Sequence, residues 1–428
     1  MQIVTTSKQS VEEIIILLRA QRSSPTTVQA RVSTIIERVK KEGDKTLFEL
    51  TQELDGAALK NLQVTKKEYI DAIKRCSPEL ITALKKAKKM ITQFHATTFS
   101  KQEAPVETSP GVKVWREFRP IEKVGLYVPG GLAAYPSTVM MLAIPARLAG
   151  CKEIIMCVPP EKNGMISDAT LAAAYLCGVT RIFKVGGAQA IAAMAYGTQT
   201  IPKVYKIVGP GNQYVATAKM MLYGEVDIDM PAGPSEVAVV AGDLARPDFV
   251  AADLLSQLEH GTTSQALLIS FSASFIECVQ AEIETQCTKL KRKVLVNEAL
   301  KNSVAVLVKN EREALEIINE YGPEHLELML DTNNERFARL VNNAGSVFIG
   351  PYTCEPLGDY ITGANHTLPT AGFSKMFSPL SVSSFGKMLQ FQSVTRKGVQ
   401  KIGPSAITIA HAEGLDAHAR SIELRLTI

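Results

Sequence analysis

Arg181-Ile-Phe-Lys-Val-Gly-Gly-Ala-Gln-Ala-Ile-Ala-Ala-Met-Ala195 is the stretch whose reading decides the fold. Arg181 to Val185 is a short run rich in strand formers, Gly186-Gly187 is a turn, and Ala188 to Ala195 is alanine-rich helix. A strand that hands over to a helix through glycine is half of a βαβ unit. The texture repeats on both sides. Ile154 to Val158 reads as a buried strand and Asp168 to Cys177 as a helix; downstream, Val204 to Val208 is a strand and Tyr214 to Leu222 a helix. This alternation predicts right-handed crossovers and a parallel sheet with helices on its faces. A second series follows in Val237 to Ala241, Pro247 to Glu259, Ala266 to Ser270, Phe275 to Cys287, Ala305 to Val308, Arg312 to Tyr321 and Ser346 to Ile349. The economical fold is α/β with two doubly wound, incomplete Rossmann-like parallel sheets.

Ahead of the alternation the chain reads as helices over Val11 to Arg19, Thr26 to Lys41 and Leu80 to Phe94, the last introduced by the cap and first-turn residues Ser77-Pro78-Glu79. Val112 to Phe118 has the look of a strand or hairpin. After about Phe373 the alternation fades into a tail that ends in an amphipathic stretch, Gly414 to Leu426. Such a tail must pack on the body or on another subunit.

Lys plus Arg number 47 against 43 Asp plus Glu in 428 residues, a formal charge of +4 that gives no support to a nucleic-acid binder. With 46% hydrophobic and 21% charged residues, disorder is excluded. No apolar run approaches membrane-helix length, and the best, Val139 to Ala146, contains Pro145. Met1 to Ser10 lacks the layout of a secretory signal, so a soluble cytoplasmic protein is expected. Seven scattered cysteines without a C-x-x-C pair argue against a disulfide framework or a cysteine zinc site.

Glycine clusters sit at three predicted turns: Gly125 to Gly131, Gly186-Gly187-Ala188-Gln189 and Gly209-Pro210-Gly211-Asn212. In doubly wound sheets such turns let backbone amides approach a phosphate. None carries G-x-G-x-x-G, so a nucleotide site and plain tight turns both stay open. Five of the six histidines, His260, His325, His366, His411 and His418, fall late in the chain, most beside acids or amides. Gln257 and His260 stand at i and i+3 at a helix end, a spacing that can present two ligands or simply place His260 against the helix dipole. Glu324-His325 after Gly322-Pro323 suits proton transfer at the mouth of the sheet, or is an exposed turn. Asp359 near His366, and Glu413 near His418, add oxygen-plus-imidazole groupings suited to zinc or a neighbouring divalent metal.

Together Gly125-Leu-Tyr-Val-Pro-Gly-Gly-Leu-Ala-Ala-Tyr-Pro-Ser137, Val208-Gly-Pro-Gly-Asn212, Pro231-Ala-Gly-Pro-Ser-Glu236, Gln257-Leu-Glu-His260, Gly322-Pro-Glu-His-Leu326, Gly358-Asp-Tyr360, Asn365-His366 with Leu368-Pro-Thr370, and Glu413-Gly-Leu-Asp-Ala-His418 resemble the histidinol dehydrogenase family. The resemblance runs in order from the N-terminal helices to the tail. It implies a zinc- and NAD-dependent homodimer that oxidises L-histidinol to L-histidine with two NAD reduced. Residue by residue it implies zinc ligands Gln257, His260, Asp359 and His418, the last from the partner's tail, and Glu324 with His325 as the proton-transfer pair. Ser235, His366 and Glu413, with the zinc ligands and the proton-transfer pair, would contact substrate; Tyr127, Gln189 and Asn212 would contact NAD.

The implied organisation is an N-terminal helical arm (1–24), a catalytic α/β domain (25–108 with 236–375), an NAD-binding α/β domain (109–235) and a C-terminal tail (376–428) reaching the partner's active site. Ser383-Ser384-Phe385, where the family leads one to expect an acid before the phenylalanine, bears on the packing of the tail. The rivals are a same-fold zinc- and NAD-dependent dehydrogenase of another small alcohol, such as a sulfonated diol, a zinc hydrolase, and a silent nucleotide-binding protein. The absence of H-E-x-x-H and the glycine clusters count against the hydrolase.

Overall fold

A computed structural model describes residues 1–20, 27–97, 103–130, 134–231 and 233–427. The expected boundary at 24/25, Thr26, the Gly131 to Ala133 part of the first glycine motif, and Ala232 lie outside the described residues.

Five parallel strands form one sheet, in the order Arg181–Phe183, Glu153–Cys157, Lys123–Tyr127, Lys206–Val208 and Asp227–Ile228. Side chains alternate across a strand, so Ile154 and Met156 enter one core with the helices Pro136–Ala149 and Asp168–Cys177. Ile155 and Cys157 enter the opposite core with Gly187–Tyr196, Gln213–Leu222 and the early helices Thr27–Glu42 and Asp44–Asp55. Both faces are covered, which is why these strands read as continuous apolar runs.

The second sheet has six parallel strands, in the order Gln2–Thr5, Val304–Leu307, Gln265–Ser270, Glu236–Ala241, His325–Met329 and Ser346–Ile349. Val237 and Val239 face a core with Pro247–Leu258 and Ala273–Cys287, and Ala238 and Val240 face one with Val11–Ala20 and Glu311–Tyr321. The edge strand Gln2–Thr5 corrects an all-helical reading of the N-terminal region. Strand order reverses beside Lys123–Tyr127 in the first sheet and beside Glu236–Ala241 in the second, as in doubly wound folds.

The fading tail contains a strand. Gly386–Val394 pairs antiparallel with Val112–Pro120 from Gly386 opposite Pro120 to Val394 opposite Val112, and Val106–Ser109 completes a three-stranded sheet. Trp115 stacks on Phe391 at 5.3 Å. Phe385 is buried in the core of the first sheet, so the departure at Ser383-Ser384 leaves that anchor in place. Beyond it, Arg396–Ala412 and Asp416–Leu426 pack on each other and are otherwise largely exposed. Pro145 sits inside the helix Pro136–Ala149 without ending it. No helix among the described residues is long and apolar enough to cross a membrane, and all seven cysteines are free.

Candidate active site

A cavity of about 820 Å³ opens between the two sheets. Its first wall is made by the carboxyl ends of the five-stranded sheet: Tyr127 closes one strand, Gly187 and Gln189 begin a helix after another, and Pro210 to Asn212 follow a third. Its second wall comes from the amino edge of the six-stranded sheet, where Ser235 precedes Glu236–Ala241 and Glu324 precedes His325–Met329. Ligand sites in open α/β sheets lie at carboxyl ends; here only one of the two sheets follows that rule.

The first wall is built around backbone turns. Gly209 has φ +129°, and a Cβ there would stand 2.0 Å from the Tyr127 carbonyl oxygen, so only glycine fits. Its N–H donates to Asp229 (2.7 Å) and its carbonyl accepts from Lys219 Nζ (3.0 Å). Lys219 and Asp229 are themselves a buried ion pair, so both polar groups of the turn are held by charges that hold each other. Asn212 caps the next helix, its side-chain oxygen accepting from Tyr214 N and Val215 N. The Tyr127 hydroxyl accepts from Gly187 N at 3.1 Å.

The second wall is polar and largely buried. Gly322, left-handed at φ 60°, caps the helix Glu311–Tyr321 and sends the chain into Glu324-His325. Glu236 N donates to Glu324 Oε2 (2.9 Å), and His325 Nδ1 donates to the Glu236 carbonyl (3.1 Å). His366 Nδ1 donates to the Asp359 carbonyl at 3.1 Å. Burial pushes the His325 ring down to about 3 and His366 to about 4, so both are neutral. Desolvation lifts Glu324 well above the usual carboxylate range and Asp359 to about 7.

Gln257 and His260 leave the end of Pro247–Leu258 on the cavity side. The Gln257 side chain is buried with neither amide atom hydrogen-bonded. Donor atoms of His260, Glu355 and Asp359 lie within 4.8 Å of one another. Imidazole, carboxylate and an amide oxygen form a donor set that suits zinc, and a dication would also relieve the mutual repulsion of the desolvated acids. These residues fit a metal. Glu355 was missed in the sequence; its signal is the Glu355-Pro-Leu-Gly-Asp359 spacing, i and i+4 on the helix Glu355–Tyr360.

All the expected site residues line this one cavity except Glu413 and His418. Those two are exposed, Glu413 where Arg396–Ala412 ends and His418 on Asp416–Leu426. Within one chain the structure does not bring them to the site.

Fold and site define a two-sheet α/β enzyme with glycine turns facing an acid–imidazole cluster. The histidinol dehydrogenase family model matches residues 18–426. Over 413 residues the chain is 46% identical to a histidinol dehydrogenase of Colwellia psychrerythraea, covering 96% of this chain and 95% of that one. It is 50% identical over 397 residues to one of Bacteroides thetaiotaomicron, covering 92% of each. The crystal structure of histidinol dehydrogenase from Elizabethkingia anophelis superposes with a TM-score of 0.94 at 44% identity, covering 100% of this chain and 98% of that one. The chain belongs to the histidinol dehydrogenase family and is an oxidoreductase.

Proposed function

We propose that this enzyme oxidises L-histidinol to L-histidine in two successive steps, through an enzyme-held aldehyde, with two NAD reduced and one zinc per subunit, as the last steps of histidine biosynthesis in the cytoplasm. The observation that carries the reading is the convergence of the glycine turns and the Gln257, His260, Glu324, His325 and Asp359 cluster on a single cavity.

His325 Nδ1 carries its proton toward the Glu236 carbonyl, which leaves Nε2 as a lone pair for the alcohol proton. Glu324 is anchored through one oxygen to Glu236 N, and its other oxygen assists water in adding to the aldehyde. Once that first proton has passed from His325 to solvent, Nε2 takes the proton of the resulting diol. Ser235 and His366, both on the second wall, hold the substrate. NAD would be held by Tyr127, Gln189 and Asn212 and would supply the hydride acceptor for each oxidation. Zinc would be held by Gln257, His260 and Asp359 and would supply a Lewis acid at this site. The exposed helices Arg396–Ala412 and Asp416–Leu426 leave His418 and Glu413 free to complete the site of a second copy in a homodimer.

The test is L-histidinol-dependent NADH formation by purified protein, abolished by a chelator and restored by zinc. NAD reduction with a sulfonated diol but not with L-histidinol would favour a same-fold dehydrogenase of another small alcohol.

A further inference from the structure

Asp55 is placed badly for stability. It is the last residue of the helix Asp44–Asp55, where the negative end of the helix dipole disfavours a carboxylate, and Gly56 terminates that helix at φ 69°. Its Oδ2 is buried with no hydrogen-bond partner, and burial pushes its pKa up to about 6. A half-buried, unpaired acid at a helix C-terminus is the kind of local conflict that proteins retain at functional positions.

Its location supplies the function. Asp55 lines the cavity on the side of Tyr127, Gly187 and Gln189, close enough to Tyr127 to hold its phenol proton more tightly. That phenol oxygen already accepts from Gly187 N. A carboxylate offers acceptors for both hydroxyls of a vicinal diol and repels a phosphate ester at the same place, the logic by which dinucleotide sites recognise an unmodified ribose. Among the described residues the cation on this wall is Arg31, whose guanidinium lies over the Tyr214 ring at 5.7 Å.

We propose that Asp55 accepts hydrogen bonds from a ribose diol of the dinucleotide and sets the preference for NAD over its 2′-phosphorylated form. The proposal rests on the cofactor reading given above and names the residue that makes it selective.

The experiment compares wild type, Asp55→Asn and Asp55→Ala, all zinc-loaded, at saturating L-histidinol with NAD or NADP varied. Loss of a charge-assisted hydrogen bond should raise KM for NAD about tenfold or more. With Arg31 unopposed, the ratio of kcat/KM for NAD to that for NADP should fall by at least a similar factor. KM for L-histidinol and zinc content should hold. Asp55→Asn should also melt higher than wild type, whereas a purely structural residue would melt lower when replaced. An unchanged KM for NAD, or a rise by the same factor for both nucleotides, overturns the proposal. Failure of the cofactor reading looks different: wild type reduces neither nucleotide, or Gln189→Ala and Asn212→Ala leave NAD affinity intact, and the proposal falls with it.

Discussion

His325 Nδ1 donates to the backbone carbonyl of Glu236 across 3.1 Å, and this bond fixes the tautomer of the ring. A carbonyl only accepts, so the proton sits on Nδ1 and Nε2 is the basic atom. Glu236 N anchors Glu324 from the same residue. One backbone position thus aims both members of the proton-transfer pair.

Replacing them should therefore separate a base used in both oxidations, His325, from a group used only in the second, Glu324. His325→Gln should slow alcohol oxidation by about 100- to 10,000-fold, the usual worth of a general base. Glu324→Gln should slow mainly the water-dependent step, seen when the aldehyde is supplied directly and its oxidation compared with that of L-histidinol. A Glu324→Gln enzyme that oxidises the aldehyde normally and fails only on the alcohol would reverse the assignment.

The exposed tail makes a prediction about subunits. His418→Asn should lose zinc on dialysis, measured as metal per subunit, although His418 lies outside the cavity of its own chain. Mixing inactive His418→Asn with inactive His260→Asn should recover about a quarter of wild-type activity, since half the dimers are mixed and each has one intact site. No recovery on mixing, with exchange of subunits verified, would place His418 on its own chain's site or on none.

Lys219 and Asp229 are 2% and 0% exposed, and they hold the Gly209 turn. Breaking such a pair from one side typically costs about 3–5 kcal/mol. Lys219→Met should lower stability in urea by that order and raise KM for NAD through the displaced turn. Lys219→Met with Asp229→Leu should recover much of the stability without recovering KM.

Asp55 also predicts a pH signature. Its pKa of about 6 in the fold exceeds the ordinary 3.8, so the native state binds the proton more tightly. The stability this confers is present below 3.8 and lost as pH rises through 6. The gain in Tm of Asp55→Asn over wild type should be small near pH 4, grow to about pH 7 and level off. A pH-independent difference would show that Asp55 stays ionised throughout.

Much of the architecture was legible because both sheets are covered on both faces. Strands such as Ile154 to Val158 are then short apolar runs bounded by turns, and the buried helices are alanine-rich. Adjacent acid and imidazole at 324 and 325, and amide and imidazole at i and i+3, marked candidates whose plainer readings stayed open; the resemblance singled them out, and the structure brings them to one cavity. Gln2–Thr5 was not, because a four-residue edge strand has no periodicity of its own and is made a strand by Val304–Leu307, distant in sequence. Gly386–Val394 is mostly exposed, so its pattern is blurred and only the pairing with Val112–Pro120 defines it. Pro145 reads as a breaker, yet its helix is buried along most of its length and tertiary packing overrides the local cost. Glu355 was hidden because an acid next to a proline reads as a helix start; its i and i+4 spacing pairs it with Asp359, and only the fold sets the two beside His260.

The most direct test is stoichiometric. Zinc-loaded enzyme is given limiting L-histidinol and excess NAD, and absorbance of NADH is followed to completion. The account predicts two NADH per L-histidinol, with L-histidine as product. One NADH per L-histidinol, with free aldehyde released, would contradict the coupled oxidations at the Glu324 and His325 site.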